Sequence, residues 1–97
     1  MKHNLENETL FISLEGELNS YNSEEVEKAI DELLIRGGFK DIKIDMNDLV
    51  YISSAGLRII VRIKQRYEST SLINVPDGVY DVLEMVGFPN LMRIERK

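Results

Sequence analysis

The amino-acid sequence predicts an α/β domain built on a mixed, mainly parallel sheet of about four to five strands with helices packed on it. Short runs in which apolar and polar residues alternate are separated by longer runs with apolar residues at helical spacing. Strands that alternate with helices along a chain usually pair in parallel. The chain has 97 residues, so we predict one domain over residues 1–97.

Composition excludes several classes of function. Seventeen acidic and 12 basic residues give a net charge of −5, which argues against direct binding of nucleic acid. The absence of cysteine excludes disulfides, thiolate metal sites and cysteine nucleophiles. No apolar run approaches the ~20 residues of a membrane span, and the N-terminus lacks a signal-peptide core. We therefore expect a cytoplasmic protein with no membrane contact.

The chain begins with a predicted pair of strands. Apolar and polar residues alternate over residues 10–15, and residues 3–6 are placed to pair with them across a turn at Glu6-Asn7-Glu8. Both segments have the length of short strands.

The first helix has the clearest boundaries. Asn22 is placed as its N-cap, Glu25 follows three residues later as in a capping box, and Tyr21 and Val26 have the spacing of a hydrophobic staple. Gly37-Gly38 ends it. Its apolar stripe consists of Val26, Ala29, Ile30, Leu33 and Leu34.

A strand over residues 42–46 leads through a link at residues 49–52 into a second helix, predicted from Ser53-Ser54 to about Ser69. One broad apolar arc of this helix contains Leu57, Ile59, Ile60, Val61, Ile63 and Tyr67. The opposite side carries Arg58, Arg62 and Arg66 at intervals of four residues.

The last part of the chain predicts a strand at residues 71–75, a helix that opens at Pro76-Asp77 and ends at Gly87, and a final strand within residues 91–94. The residues of this helix expected to face inward are Val79, Val82, Leu83 and Val86.

Catalysis has little support in the sequence. The single histidine, His3, lies near the terminus, and no G-x-S-x-G elbow or phosphate-binding glycine loop is present. The acidic residues Glu24, Glu27 and Asp31 share the polar face of the first helix, which is typical of a solvated surface. We expect no catalytic residues, no metal site and no cofactor.

The informative stretch is Tyr51-Ile52-Ser53-Ser54-Ala55-Gly56-Leu57, where a strand delivers two serines to the start of a helix. Either serine can cap that helix by accepting a backbone N–H bond. Gly56 lowers helix propensity, so it indicates close approach of another backbone or of a partner.

This stretch resembles the signature of STAS domains, the family of bacterial anti-sigma factor antagonists. Their strand ends in an apolar-aromatic pair, matched by Tyr51-Ile52, and continues as Asp-Ser-Ser/Thr-Gly-Leu, in which Ser54 falls on the phosphorylated serine. Gly16-Glu17-Leu18-Asn19 and Met85-Val86-Gly87-Phe88 resemble two further family motifs in order and spacing. Three positions depart from the family pattern, because Asn19 and Ser53 replace aspartates and Ala55 replaces a serine or threonine.

The resemblance implies a protein-binding module switched by phosphorylation. Such antagonists bind a serine kinase of the histidine-kinase-like ATPase fold, which is also an anti-sigma factor; phosphorylation releases them, and a PP2C-type phosphatase restores them. It implies Ser54 as the phosphorylated residue, with Ser53 as the alternative. The residues implied for partner binding are Asn19, Ser53, Ser54, Ala55, Gly56, Leu57, Arg58 and Arg62.

Other interpretations stay open at this point. Arg58 is placed one helical turn beyond Ser54, where it can bond a phosphate, and the three arginines together form either a solubilising face or a positive stripe for an acidic partner. A constitutive docking module or a small-ligand sensor of the same fold would not depend on Ser54. A phosphocarrier acting through His3 and a small hydrolase are further alternatives.

Overall fold

A computed structural model describes all 97 residues. Its centre is a five-stranded sheet with the strand order β1-β2-β3-β4-β5, in which β1 and β2 are antiparallel and the later neighbours are parallel. The strands are β1 (Lys2–Glu6), β2 (Thr9–Leu18), β3 (Asp41–Ile52), β4 (Thr70–Val75) and β5 (Ile94–Arg96). The predicted mixed, mainly parallel sheet is confirmed.

Three helices connect the parallel strands: α1 (Ser23–Arg36), α2 (Ser54–Arg66) and α3 (Asp77–Met85). Their predicted starts are confirmed to within a residue, whereas α2 ends about one turn earlier than expected. The final strand does not lie within residues 91–94, because a short 3₁₀ helix at Phe88–Asn90 delays it to Ile94. None of the helices combines the length and apolarity needed to cross a membrane.

A tight hairpin joins β1 to β2. The two turn residues, Asn7 and Glu8, both have positive φ angles (51° and 66°), as the right-handed twist of a two-residue hairpin requires. The carbonyl oxygen of Glu8 accepts hydrogen bonds from the backbone nitrogens of Lys40 and Asp41 at 2.7 and 3.3 Å. The turn is therefore fixed to the start of β3.

One face of the sheet forms the core. Alternate residues of β2, β3 and β4 are buried there, and the helices contribute to the same cluster of 21 buried hydrophobic residues. From α1 these are Ile30, Leu33 and Leu34, from α2 Ile59, Ile60 and Ile63, and from α3 Val79 and Leu83. Val86 was predicted to face inward but is 51% exposed, because α3 ends at Met85 and Gly87 turns the chain with a φ of 83°.

The segment predicted as a link before α2 is the second half of β3. Two register shifts occur against β2, between Ser13 and Glu15 and between Gly16 and Glu17, so β3 uses 12 residues where β2 uses 10. These shifts change the strand's buried positions from every second residue to every third, at Met46, Leu49 and Ile52. The alternation that identifies a strand is lost, although the pairing continues.

Ion pairs join the middle of α1 to the last turns of α2. Arg62 donates to Glu27 at 2.8 Å, and Arg66 donates to Asp31 at 3.0 Å. The guanidinium of Arg66 also lies 5.5 Å from the ring centre of Tyr67, whose ring packs 5.4 Å from that of Phe39. The two helices are thus held together near the end of the sheet where the parallel strands begin.

The last strand is fastened to α3 through Arg96. Its guanidinium lies 4.1 Å from the centre of the Tyr80 ring and donates to Asp77 at 2.9 Å. The hydrogen bond to Asp77 raises the pKa of Arg96 further above its ordinary value, although the solvent-exposed setting screens the pair. The contact fixes the path of β5 along β4.

Candidate functional site

The candidate site lies where the parallel strands β2 and β3 end. Pairing between these strands continues to Leu18 and Ile52, and the backbone nitrogen of Ser53 donates to the carbonyl oxygen of Leu18 at 2.8 Å. The loop that leads into α1 and the first turn of α2 therefore lie side by side. Ligands and partners of open α/β sheets commonly bind at this edge, outside the carboxyl ends of the strands.

Ser53 is the N-cap of α2. Its backbone is extended, with φ −94° and ψ 174°, and its hydroxyl oxygen accepts a hydrogen bond from the nitrogen of Gly56 at 3.3 Å. Its carbonyl oxygen accepts the first helical hydrogen bond, from Leu57 at 2.9 Å. The side chain of Ser53 is therefore engaged in holding the helix start.

Ser54 is the first residue of α2, and its side chain is exposed. Its hydroxyl makes no hydrogen bond within the chain, in contrast to that of Ser53. No acidic residue lies in the first turn of α2, so the partial positive charge of the helix start meets no carboxylate there. The position can accept a phosphate without breaking any contact of the fold.

Gly56 was predicted at the partner-binding surface, but it lies in the interior of the domain. It is buried, and a Cβ at this position would lie 2.7 Å from Cγ of Leu18 and 2.8 Å from Cγ1 of Ile52. The close approach that its sequence position indicated is therefore made by side chains of the chain's own sheet. Gly56 therefore supports the site from beneath, and Ala55 and Leu57 on either side of it are half-buried.

The three arginines of α2 do not form one stripe. Arg62 and Arg66 form ion pairs with Glu27 and Asp31 of α1, so the charge of Arg62 is already neutralised within the chain. Arg58 is exposed and forms no ion pair. Since Arg58 follows Ser54 by four residues, the two side chains share one face of the helix.

Asn19 organises the loop before α1. Its side-chain oxygen accepts hydrogen bonds from the nitrogens of Tyr21 and Asn22 at 2.9 and 3.1 Å, and its amide donates to Glu17 at 3.3 Å. The side chain of Asn22 also bonds to the loop. Its oxygen accepts a hydrogen bond from the nitrogen of Asn19 at 2.9 Å, and its amide donates to the carbonyl oxygen of Glu17 at 2.7 Å. The two amides hold the loop in one conformation.

This exchange overturns the predicted capping of α1. Asn22 lies at the N-cap, but its side chain makes no hydrogen bond to the helix because it is committed to Asn19 and Glu17. The predicted hydrophobic staple is also wrong, since Tyr21 is 97% exposed while Val26 packs on the core without it.

Exposed apolar side chains lie on the strand and on the loop that lead to this edge of the sheet, and they were missed from sequence. Val50 is 74% exposed, Tyr51 is 50% exposed, and Tyr21 projects from the neighbouring loop. Tyr51 lies opposite Glu17 in the pairing of the strands. The available signal was the aromatic residue at the end of β3, but its exposure depends on the register shifts.

The remaining candidate residues lie elsewhere. His3 is exposed on β1, whose neighbour is β2 and not β3, so the strand that leads to Ser54 is separated from it. No group of three or more histidine, aspartate or glutamate side chains is arranged to hold a metal ion.

Comparison with known proteins gives consistent matches over nearly the whole chain. The model of the family described as the STAS domain matches residues 2–97. BtrV of Bordetella bronchiseptica, named as a candidate anti-sigma factor antagonist, is 28% identical over 89 residues, which is 88% of this chain and 76% of that protein.

Solved structures share the fold at lower identity. The unphosphorylated form of the anti-sigma factor antagonist SpoIIAA superimposes with a TM-score of 0.75 at 24% identity, over 96% of this chain and 87% of that chain. The phosphorylated form of Bacillus SpoIIAA gives a TM-score of 0.66 at 23% identity, over 96% and 90% of the two chains. The same fold has thus been described both with and without a phosphate.

Proposed function

Because the chain belongs to the STAS domain family, we propose that it is an anti-sigma factor antagonist switched by phosphorylation of Ser54. Its unphosphorylated form binds a serine kinase that is also an anti-sigma factor, and the phosphorylated form is released. The proposal rests on the difference between two adjacent serines. Ser53 caps α2 with its hydroxyl, whereas Ser54 is exposed and its hydroxyl makes no hydrogen bond within the chain.

Charge explains why phosphorylation would change binding without changing the fold. A phosphate adds about −1.5 to −2 charges at neutral pH. At the first residue of α2 these charges meet the positive end of the helix dipole, and Arg58 lies one turn away. A partner packed over Ser54 meets the same charge as a desolvated anion, which weakens its binding.

The surface around Ser54 suits a protein partner. Tyr21 and Tyr51 present large apolar rings with polar hydroxyls, a residue type that is frequent at the energetic centres of protein interfaces. The hydrogen bonds of Asn19 and Asn22 hold the loop backbone at Tyr21 in one conformation before binding, so less backbone freedom is lost on association. The relatives described as anti-sigma factor antagonists support an anti-sigma factor as this partner.

The phosphorylation site is tested by incubating the protein with the cognate kinase and ATP and locating the phosphate by fragmentation mass spectrometry. We expect Ser54 alone to be modified, and a PP2C-type phosphatase to reverse it. Ser54→Ala should abolish labelling, and Ser53→Ala should retain it. Modification of Ser53 in the wild-type protein would contradict the proposal.

The effect on binding is tested by calorimetric titration of the partner with variants at position 54. Ser54→Asp should weaken binding at least about tenfold while melting near the wild-type temperature, and Ser54→Ala should bind normally. Ser69→Asp is the matched control, since Ser69 is exposed beyond the other end of α2. Equal affinities for Ser54→Asp and wild type would favour a constitutive docking module instead.

A further inference from the structure

The free edge of the sheet at β1 carries a sequence that is complementary to itself. All five residues of the strand, Lys2-His3-Asn4-Leu5-Glu6, are exposed, and β1 pairs only with β2. We propose that β1 is a homodimer interface, in which the β1 strands of two copies pair antiparallel and join their sheets. This proposal is independent of the proposed function, because β2 separates β1 from the strand that leads to Ser54.

The hairpin fixes which backbone groups of β1 face outward. Glu6 and Thr9 flank the two-residue turn, so they form a hydrogen-bonded pair, and pairs alternate from there along the strand. Lys2, Asn4 and Glu6 therefore direct their N–H and C=O groups toward β2. His3 and Leu5 direct theirs toward the free edge, where none of them bonds to another part of the chain.

Only one register uses both outward residues of each copy. If the strands pair about a two-fold axis at Asn4, His3 of one copy faces Leu5 of the other, and about four backbone hydrogen bonds form. A register centred on His3 or on Leu5 places a partner position outside β1, at Met1 or in the turn at Asn7. The pairing about Asn4 thus keeps both outward residues of each copy opposite a strand residue of the other copy.

The same register places opposite charges in contact. Lys2 of one copy then faces Glu6 of the other, and the symmetry repeats the pair. Opposite charges directly across two antiparallel strands stabilise the pairing, whereas like charges destabilise it. The half-exposed Leu5 loses further contact with water in the same arrangement.

The short strand predicts a weak dimer. Five residues on each side bury less than the roughly 1,200 Å² typical of stable complexes, so we expect association that depends on concentration, with a dissociation constant on the order of 0.1–1 mM. Sedimentation equilibrium of the full chain up to about 2 mM measures it directly. A protein that remains monomeric over this range would overturn the proposal.

Charge exchange tests the register. Lys2→Glu and Glu6→Lys each place like charges opposite one another twice, so each should weaken the dimer by roughly tenfold or more, and the double variant should restore it. Lys28→Glu is the control for net charge, because it makes the same change on α1. Failure of the double variant to recover would reject this register.

A backbone variant separates edge pairing from charge. His3→Pro removes an outward N–H group but none of the hydrogen bonds between β1 and β2, so the hairpin should persist while the dimer is lost. Circular dichroism and thermal melts verify that the fold is intact. A dimer that survives His3→Pro uses another surface, and this result would also overturn the proposal.

Discussion

The two ends of α2 carry the same residue type at the same spacing but differ in their surroundings. At the last turns, Arg62 and Arg66 are paired with acidic residues of α1, and Tyr67 packs against Phe39. In the first two turns, Arg58 has no ion-pair partner and Ser54 is exposed. One end is closed by contacts within the chain, and the other is open to a partner.

The difference teaches that regular spacing on a helix does not define a functional surface. Arginines four residues apart lie on one face, but only Arg62 and Arg66 form ion pairs with α1. Its acidic residues, also four apart, neutralise the two arginines that they reach. The functional interpretation therefore narrows from three arginines to Arg58.

The open end depends on close packing beneath it, and Gly56→Ala should disturb that packing most. The added methyl group meets the buried side chains of Leu18 and Ile52 below 3 Å, so we expect the free energy of unfolding to fall by about 1–3 kcal/mol. Urea denaturation measures this. Gly78→Ala is the control, because nothing lies within 4 Å of its Cβ position; it should leave stability unchanged or raise it by roughly 0.5 kcal/mol.

The adjacent serines should separate stability from binding. Ser53→Ala removes the cap of α2, and we expect it to lower the free energy of unfolding by about 1 kcal/mol. Ser54→Ala should change the free energy of unfolding by less than about 0.5 kcal/mol, since the hydroxyl of Ser54 makes no hydrogen bond within the chain. Equal losses in thermal melts of the two variants would remove the distinction on which the switch depends.

Arg58 and Arg66 should differ in their effect on association. Arg58→Ala leaves the fold intact but removes an unpaired charge beside Ser54, so association with an acidic partner surface should slow by roughly two- to fivefold at low salt. Arg66→Ala should leave the association rate nearly unchanged, because that charge is paired with Asp31. Stopped-flow kinetics at two ionic strengths compare them; slower association of Arg66→Ala alone would reverse the assignment.

Removing the Arg62–Glu27 ion pair near the end of α2 should have the smallest effect on the free energy of unfolding. Arg62 and Glu27 are partly exposed, so a double-mutant cycle with Arg62→Ala and Glu27→Ala should give a coupling free energy of about 0.5 kcal/mol that decreases with salt. A coupling energy near zero at low salt would show that the contact does not hold the helices together.

Sequence predicts the parts of this molecule that local chemistry determines. The glycines after α1, the serine cap of α2 and the alternation in β2 are recognisable because each depends on a few neighbouring residues. The second half of β3 was missed because its register shifts depend on the pairing with β2, where Gly16 adopts a φ of 68°. No window of the β3 sequence contains that information.

The site was predicted only in part for a related reason. The motif placed Ser53 and Ser54 at the start of α2, and the structure confirms that placement. It did not separate exposed from buried members, so Gly56 was assigned to a surface that it does not reach. Nor did it show that Asn19 and Asn22 bond to each other's backbone nitrogens, because the residue type of Asn22 alone suggests a helix cap.

The extra residues of β3 constrain how its length can change during evolution. Insertions and deletions usually accumulate in segments between secondary-structure elements, and residues 49–52 look like such a segment in the sequence. Here every third residue enters the core, so losing a single residue would disrupt the spacing of the buried positions up to the start of α2. Ser54 would then turn away from the edge of the sheet. Homologous chains that keep a serine at this helix start should therefore preserve the number of residues before it even where they replace the residues themselves.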